Sequence, residues 1–249
     1  MIAVFDSGIG GLSVLRELLA LLPHERYLYY ADTAWCPYGE KPREVIQDRA
    51  RHITTLLLEQ GADIIVVACN TATAAAISTL REEFAGTSFV GIEPAVKPAA
   101  LASESSVIGV LATAGTLQGG NYLDLRDKYC DKVKIVEHVG KGFVELVEKG
   151  MLTGPLAEAT VGESLRPLLE AGADTLVLGC THYPFLSDTI RAIAGPEVRI
   201  INPAPAVARQ VLRLYKPHED GNCDSKPCVK LMTSGDISAL ESMYRKLIG

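Results

Sequence analysis

Short apolar runs rich in β-branched residues alternate along the chain with longer stretches whose apolar residues recur at helical spacing. MIAVFD (1–6), YLYYADT (27–33), ADIIVVAC (62–69) and FVGIEP (89–94) have the strand pattern. LSVLRELLALL (12–22), REVIQDRARHITTLLLEQG (43–61) and TATAAAISTLREEF (71–84) have the helical one. The alternation predicts a parallel sheet built from βαβ units. After Pro94 it restarts: VIGVLAT (107–113), VKIVEHV (133–139), ADTLVLGC (173–180) and VRIINP (198–203) are expected strands. The helices expected between and after them are TLQGGNYLDLRDKY (116–129), LAEATVGESLRPLLEAG (156–172), FLSDTIRAIAG (185–195) and APAVARQVLRLY (204–215).

The fold class expected is therefore α/β: two tandem, pseudo-symmetric α/β domains with mainly parallel sheets and an active-site cleft between them. Pro94 and Pro203 are the candidate crossovers. A polar, turn-rich insert, KPHEDGNCDSKP (216–227), precedes a last strand and helix in KLMTSGDISALESMYRKLIG (230–249). If that tail returns to the first unit, the domains are 1–94 with 204–249, carrying Cys69, and 95–203, carrying Cys180.

GADIIVVACNTA (61–72) and GADTLVLGCTHY (172–183) are nearly the same stretch twice. Each ends a strand on a cysteine followed by small polar residues, at the sheet edge where open α/β folds bind ligands. A thiol ahead of a helix start is more readily a thiolate, because backbone N–H groups and the helix dipole favour the anion. Two such groups allow a two-base reaction: a thiolate removes a proton from one face of a carbon acid and a thiol returns one to the other. For either cysteine alone, burial as a small hydrophobe is an equally good reading; the duplication favours chemistry.

Composition narrows the class. The 249 residues carry a formal net charge of -6 and contain 48% hydrophobic residues. No dense Lys/Arg run is suited to a phosphate backbone, so nucleic acid is not an expected partner. No apolar run reaches the roughly 20 residues of a membrane-spanning helix, and MIAVFDSGIGG lacks the features of a secretory signal. The expectation is a cytoplasmic protein without membrane association. The six cysteines, at 36, 69, 130, 180, 223 and 228, are scattered. Only Cys223 and Cys228 are close, with no histidines or second pair to complete a zinc site, and a surface turn is the plainer reading there. Neither metal nor organic cofactor is expected.

The motifs DSGIGGL (6–12), ADT (31–33), PYG (37–39), ACNTATA (68–74), IEPAVKPA (92–99), ATAGT (112–116) and GCTHYPFL (179–186) together resemble the glutamate racemase family, within the cofactor-independent aspartate/glutamate racemases. The resemblance implies interconversion of L- and D-glutamate for peptidoglycan synthesis. It implies that Cys69 and Cys180 are the catalytic pair, with Asp6 assisting the first thiol and His182 and Glu148 the second. It further implies that Asp6, Ser7, Tyr38, Gly39, Asn70, Thr71, Thr113, Thr116, Thr181 and His182 hold the amino acid. A homodimer is the assembly it allows, with no surface indicated.

Each helper also has a plainer reading. Asp6 and Ser7 could cap the following helix, His182 could be structural, Glu148 an exposed helical charge, and Tyr38-Gly39 an ordinary turn. Trp35 and Gly140-Lys141 depart from the family's usual residues.

Three other functions fit parts of the pattern. Gly8-Ile9-Gly10-Gly11 with Asp32 suits a dinucleotide fold, although Ser13 replaces the last glycine of that motif. A two-lobed amino-acid-binding protein needs the duplicated architecture but not the thiols. A racemase of aspartate or another amino acid would share the cysteine pair, since one methylene is worth only about 1–3 kcal/mol of discrimination.

Overall fold

The computed structural model describes residues 1–216 and 228–249. The chain falls into two compact units, Met1–Ile92 with Ala204–Gly249, and Glu93–Pro203.

The first unit contains β1 (Ile2–Asp6), α1 (Leu12–Leu21), β2 (Arg26–Ala31), α2 (Arg43–Glu59), β3 (Ile64–Val67), α3 (Asn70–Glu83) and β4 (Ser88–Gly91). The second contains α4 (Val96–Ala102), β5 (Val107–Ala112), α5 (Ala114–Leu117), α6 (Gly120–Tyr129), β6 (Lys134–Val139), α7 (Phe143–Glu148), α8 (Pro155–Glu170), β7 (Thr175–Gly179), α9 (Ser187–Ala194) and β8 (Arg199–Ile201). The chain then adds α10 (Ala204–Leu214), β9 (Cys228–Thr233) and α11 (Ile237–Leu247) to the first unit.

Among the described residues every strand pairing is parallel. The sheet orders are β4-β3-β1-β2-β9 and β6-β5-β7-β8. Leaving β9 aside, both sheets follow one plan: the first strand lies between the second and the third, and the fourth lies beyond the third. The order therefore reverses between β1 and β3 in one sheet and between β5 and β7 in the other. Such a reversal separates the loops leaving the two strands at their C-terminal ends and opens a ligand crevice there.

Burial explains the strand composition. Sheets covered by helices on both faces have strands that are apolar throughout, and Ile2–Phe5, Ile64–Val67 and Leu176–Leu178 are all buried. Leu28, Ile53, Leu57 and Phe89 pack with β1 and β3 in the first core. Val96, Ile108, Val110, Tyr122 and Val177 form the second.

The repeated Gly-Ala-Asp has a backbone cause. Gly61 and Gly172 follow α2 and α8 with φ of 85° in both cases, a left-handed conformation that costs glycine little. The Gly61 N–H donates to Leu58 O and the Ala62 N–H to Leu57 O. The Gly172 and Ala173 N–H groups repeat this on Leu169 O and Leu168 O. Both are the double bond of a Schellman helix end. The aspartate N–H groups then attach to the neighbouring strand's start, Asp63 to Met1 O and Asp174 to Val107 O.

Several boundaries differ from the pattern. The helix expected over 116–129 is two, α5 and α6, separated at Gly119, whose ψ of 137° is extended. Residues 183–186 form a 3-10 turn ahead of α9. The last strand starts at Cys228, and β9 lies beside β2. The expected insert lies outside the described residues from 217 onward, as does Cys223, so the Cys223/Cys228 reading is not addressed. Cys228 itself is an exposed free thiol.

Candidate active site

In the first unit, β1 ends on Asp6 and β3 runs out through Ala68 to Cys69. The two strands are hydrogen-bonded neighbours, with Ala68 N–H donating to Phe5 O at 2.8 Å. Asp6, Ser7 and Cys69 thus meet at the crevice between β1 and β3. The Cys69 thiol donates to Ser7 Oγ at 3.7 Å, and the Ser7 hydroxyl to Asp6 Oδ1 at 3.5 Å. These contacts are long and put the three groups in one polar chain.

Asp6 is fully buried and accepts the Gly11 N–H at 2.6 Å. The glycine is sterically required: a Cβ on Gly11 would sit 2.7 Å from Asp6 Cβ and 3.0 Å from the Tyr29 oxygen. Asp6 thus contacts Gly11, the N-cap residue of α1, which has no side-chain cap bond, and it also faces Ser7. Cys69 is the N-cap of α3, its sulfur accepting the Ala72 N–H at 3.5 Å. The partial positive charge of a helix N-terminus therefore lies against this sulfur.

Asn70 and Thr71 open α3 and are buried. Both polar atoms of the Asn70 amide lack a hydrogen-bond partner among the described residues. A buried amide without partners costs about 1–3 kcal/mol, which ordinary packing does not explain and a polar ligand does.

Tyr38 and Gly39 lie in a 3-10 turn, Tyr38–Glu40. Tyr38 is buried in the same core cluster as Cys69. Its hydroxyl donates to Asp32 at 2.5 Å, and Arg49 grips the same carboxylate with bonds of 2.9 and 2.7 Å. Burial, then the Asp32 charge, and also that of Cys69, push the Tyr38 phenol well above its ordinary range. Asp32, which a dinucleotide fold would need for a ribose, is fully buried and held by protein groups.

In the second unit, Ala112 ends β5 opposite Gly179, the residue before Cys180. Thr113 and Cys180 are therefore adjacent at this sheet's reversal point, as Asp6 and Cys69 are in the other. Thr113 caps α5, accepting the Thr116 N–H at 3.2 Å, and the two hydroxyls are 2.9 Å apart. Thr116, Thr181 and His182 are buried.

The second thiol's environment is built differently. Cys180 precedes a short 3-10 turn instead of a long helix. Its sulfur stands 3.7 Å from His182 Nδ1, while His182 Nε2 lies 2.7 Å from Glu148 Oε1. Glu148 is the last residue of α7 and is partly buried, not a free surface charge. A carboxylate on one imidazole nitrogen orients the ring and favours proton uptake at the other. A helix N-terminus lies against the first thiol, an imidazole beside the second.

Two neighbours are not among the residues that the sequence assigns to the site. Tyr183, fully buried, donates to Gly140 O at 3.3 Å and packs edge-on against Phe143. Burial, then the charges of Cys180 and Glu145, hold its phenol well above the ordinary range. Gly140 is required beside it, since a Cβ there would lie 2.7 Å from the phenol oxygen. Arg49 is the other, drawn to Asp32 from α2 and overlain by the Trp35 ring at 5.0 Å.

Comparison with known proteins identifies the family. The chain is 46% identical over 248 residues to the glutamate racemase of Ectopseudomonas mendocina, covering all of this chain and 94% of that one. The crystal structure of glutamate racemase isoform RacE1 from Bacillus anthracis superposes with a TM-score of 0.88 at 31% identity, covering 100% of this chain and 94% of that one. The structure of Escherichia coli glutamate racemase in complex with L-glutamate and the activator UDP-MurNAc-Ala gives a TM-score of 0.86 at 32% identity, over 98% and 94% of the two chains. Among the described residues, no helix is long and apolar enough to cross a membrane. The model of the Asp/Glu/Hydantoin racemase family matches residues 6–211, and the chain, an amino-acid racemase, belongs to that family.

Proposed function

We propose that the chain is a cofactor-independent glutamate racemase in which Cys69 and Cys180 exchange protons with opposite faces of one α-carbon. The observation that carries this reading is the recurrence of one device: two sheets of the same strand order each set a cysteine at their reversal point. The glutamate racemases aligned over nearly the whole chain supply the substrate, and the E. coli enzyme's complex with L-glutamate supports it.

One thiolate takes the Cα proton and becomes a thiol. Charge develops on the substrate carboxylate, where hydroxyl and N–H donors stabilise it. The opposite thiol delivers its proton to the other face and becomes the thiolate, so protons balance and the configuration inverts. Asp6 assists at Cys69, with Ser7 between them. His182, oriented by Glu148, assists at Cys180. Asn70, Thr71 and the Tyr38-Gly39 turn hold the amino acid from one side, and Thr113, Thr116 and Thr181 from the other. The D-glutamate formed supplies peptidoglycan synthesis in the cytoplasm.

The test incubates the purified protein, without added cofactor, with L-glutamate and separately with D-glutamate in heavy water. Inversion from both enantiomers with deuterium at Cα is expected. Cys69→Ser and Cys180→Ser should each abolish inversion. Inversion surviving in either variant would sink the two-base scheme, and activity on aspartate alone would reassign the substrate.

A further inference from the structure

Asp32 joins three parts of the first unit. It follows the last residue of β2, and its N–H donates to Asp6 O at 2.9 Å, tying it to the end of β1. Its carboxylate receives Arg49 through two bonds and the Tyr38 hydroxyl through a third. Its carbonyl accepts the Trp35 N–H at 2.9 Å, at the end of a 3-10 turn. Asp32 is fully buried, and Trp35, 40% exposed, stacks on Arg49. The Lys41 ammonium lies 5.8 Å from the same ring.

A buried ion pair is a weak source of net stability, because desolvation offsets most of the attraction. It is a strong positional constraint, since a bidentate Arg–carboxylate pair fixes both planes. Here the fixed carboxylate accepts one further bond, and the phenol that donates it lies in the same core cluster as Cys69.

We infer that Asp32, clamped by Arg49 under Trp35, is a positioning residue that sets the place of the Tyr38-Gly39 turn and hence substrate affinity. The inference rests on the glutamate racemase reading, in which that turn holds the amino acid. It also accounts for Trp35, a departure from the family's usual residue, as the ring stacked on the clamp.

Tyr38→Phe removes only the phenol's bond to Asp32, and Arg49→Lys removes the bidentate fork while keeping the charge. Steady-state racemisation by circular dichroism is measured in both directions, with urea unfolding of each variant. L- and D-glutamate have equal free energy in water, so kcat/KM must change equally in the two directions, and the division between KM and kcat is the informative quantity. For Tyr38→Phe a rise in KM of about tenfold is expected, the factor for one lost charge-assisted hydrogen bond. Arg49→Lys should move KM the same way, with kcat within about twofold of the parent in both.

A change confined to the urea midpoint, with both kinetic constants unmoved, would make the clamp purely structural and overturn the inference. A fall in kcat at constant KM would overturn it too. A parent protein inactive on glutamate would instead refute the functional reading on which it rests.

Discussion

His182 bridges Glu148 and Cys180: Nε2 is 2.7 Å from the carboxylate and Nδ1 is 3.7 Å from the sulfur. In the proposed scheme the imidazole exchanges the proton with the thiol and the carboxylate only orients its ring. Removing the imidazole should therefore cost more than neutralising its support. His182→Asn is expected to lower kcat/KM by about a hundredfold and Glu148→Gln by about tenfold, at the lower end for a proton-transfer group and its orienter. Circular dichroism of glutamate solutions checks both, and equal losses would show that the two act only as a fixed unit.

Asn70 provides a separation of stability from function. Its buried amide atoms have no partner among the described residues, and replacing such a group by an apolar one of similar shape removes the desolvation cost. Asn70→Leu should raise Tm by roughly 2–4 °C per kcal/mol recovered, while KM for glutamate rises. A lower Tm with KM unchanged would contradict the assignment of Asn70 to the substrate.

Gly11 and Gly86 test steric demand at the Asp6 loop. A methyl group at Gly11 would press on Asp6 Cβ at 2.7 Å, whereas at Gly86 it would meet nothing within 4 Å. Gly11→Ala should cost about 1–3 kcal/mol by overpacking and reduce turnover through displacement of Asp6. Gly86→Ala should stay within about 0.5 kcal/mol of the parent. Urea denaturation and initial rates, measured side by side, decide the comparison.

Acid sensitivity is expected from Asp174. Partial desolvation raises its pKa, but bonds from the Ser103 hydroxyl, the Ser105 and Glu104 N–H groups and the Thr175 hydroxyl more than offset that and hold the carboxyl well below the usual range. A folded-state pKa below the unfolded one gives stability that is present above the unfolded value, about 3.9, and lost as pH falls through the folded one. Asp174→Asn should lower Tm at neutral pH and flatten its decline below about pH 4. Parallel melting curves of parent and variant across that range would show the difference narrowing on acidification.

Much of this architecture is legible in the sequence because parallel strands covered on both faces must be apolar throughout, as IAVF and IIVV are. Gly-Ala-Asp marks the same helix end twice because the turn after each helix holds its first residue at positive φ, where glycine is favoured. Less legible is α4, since VKPAALA is short and carries Pro98 within it. The split between α5 and α6 is hidden because Gly119-Gly120 can also lie inside a continuous apolar pattern. At the candidate site, Cys69 and Cys180 stand out through duplication. The clamp on Tyr38 does not, because Asp32 and Arg49 are brought together by the packing of α2 and follow no local period.

The two neutral phenols have a consequence for pH–rate behaviour. Tyr38 and Tyr183, each held up in part by the charge of one of the cysteines, keep their protons far into the alkaline range. Neither can supply the alkaline limb of a racemisation profile, nor quench a thiolate by yielding its own proton. Tyrosinate absorbance should therefore emerge from these two residues only as the protein unfolds.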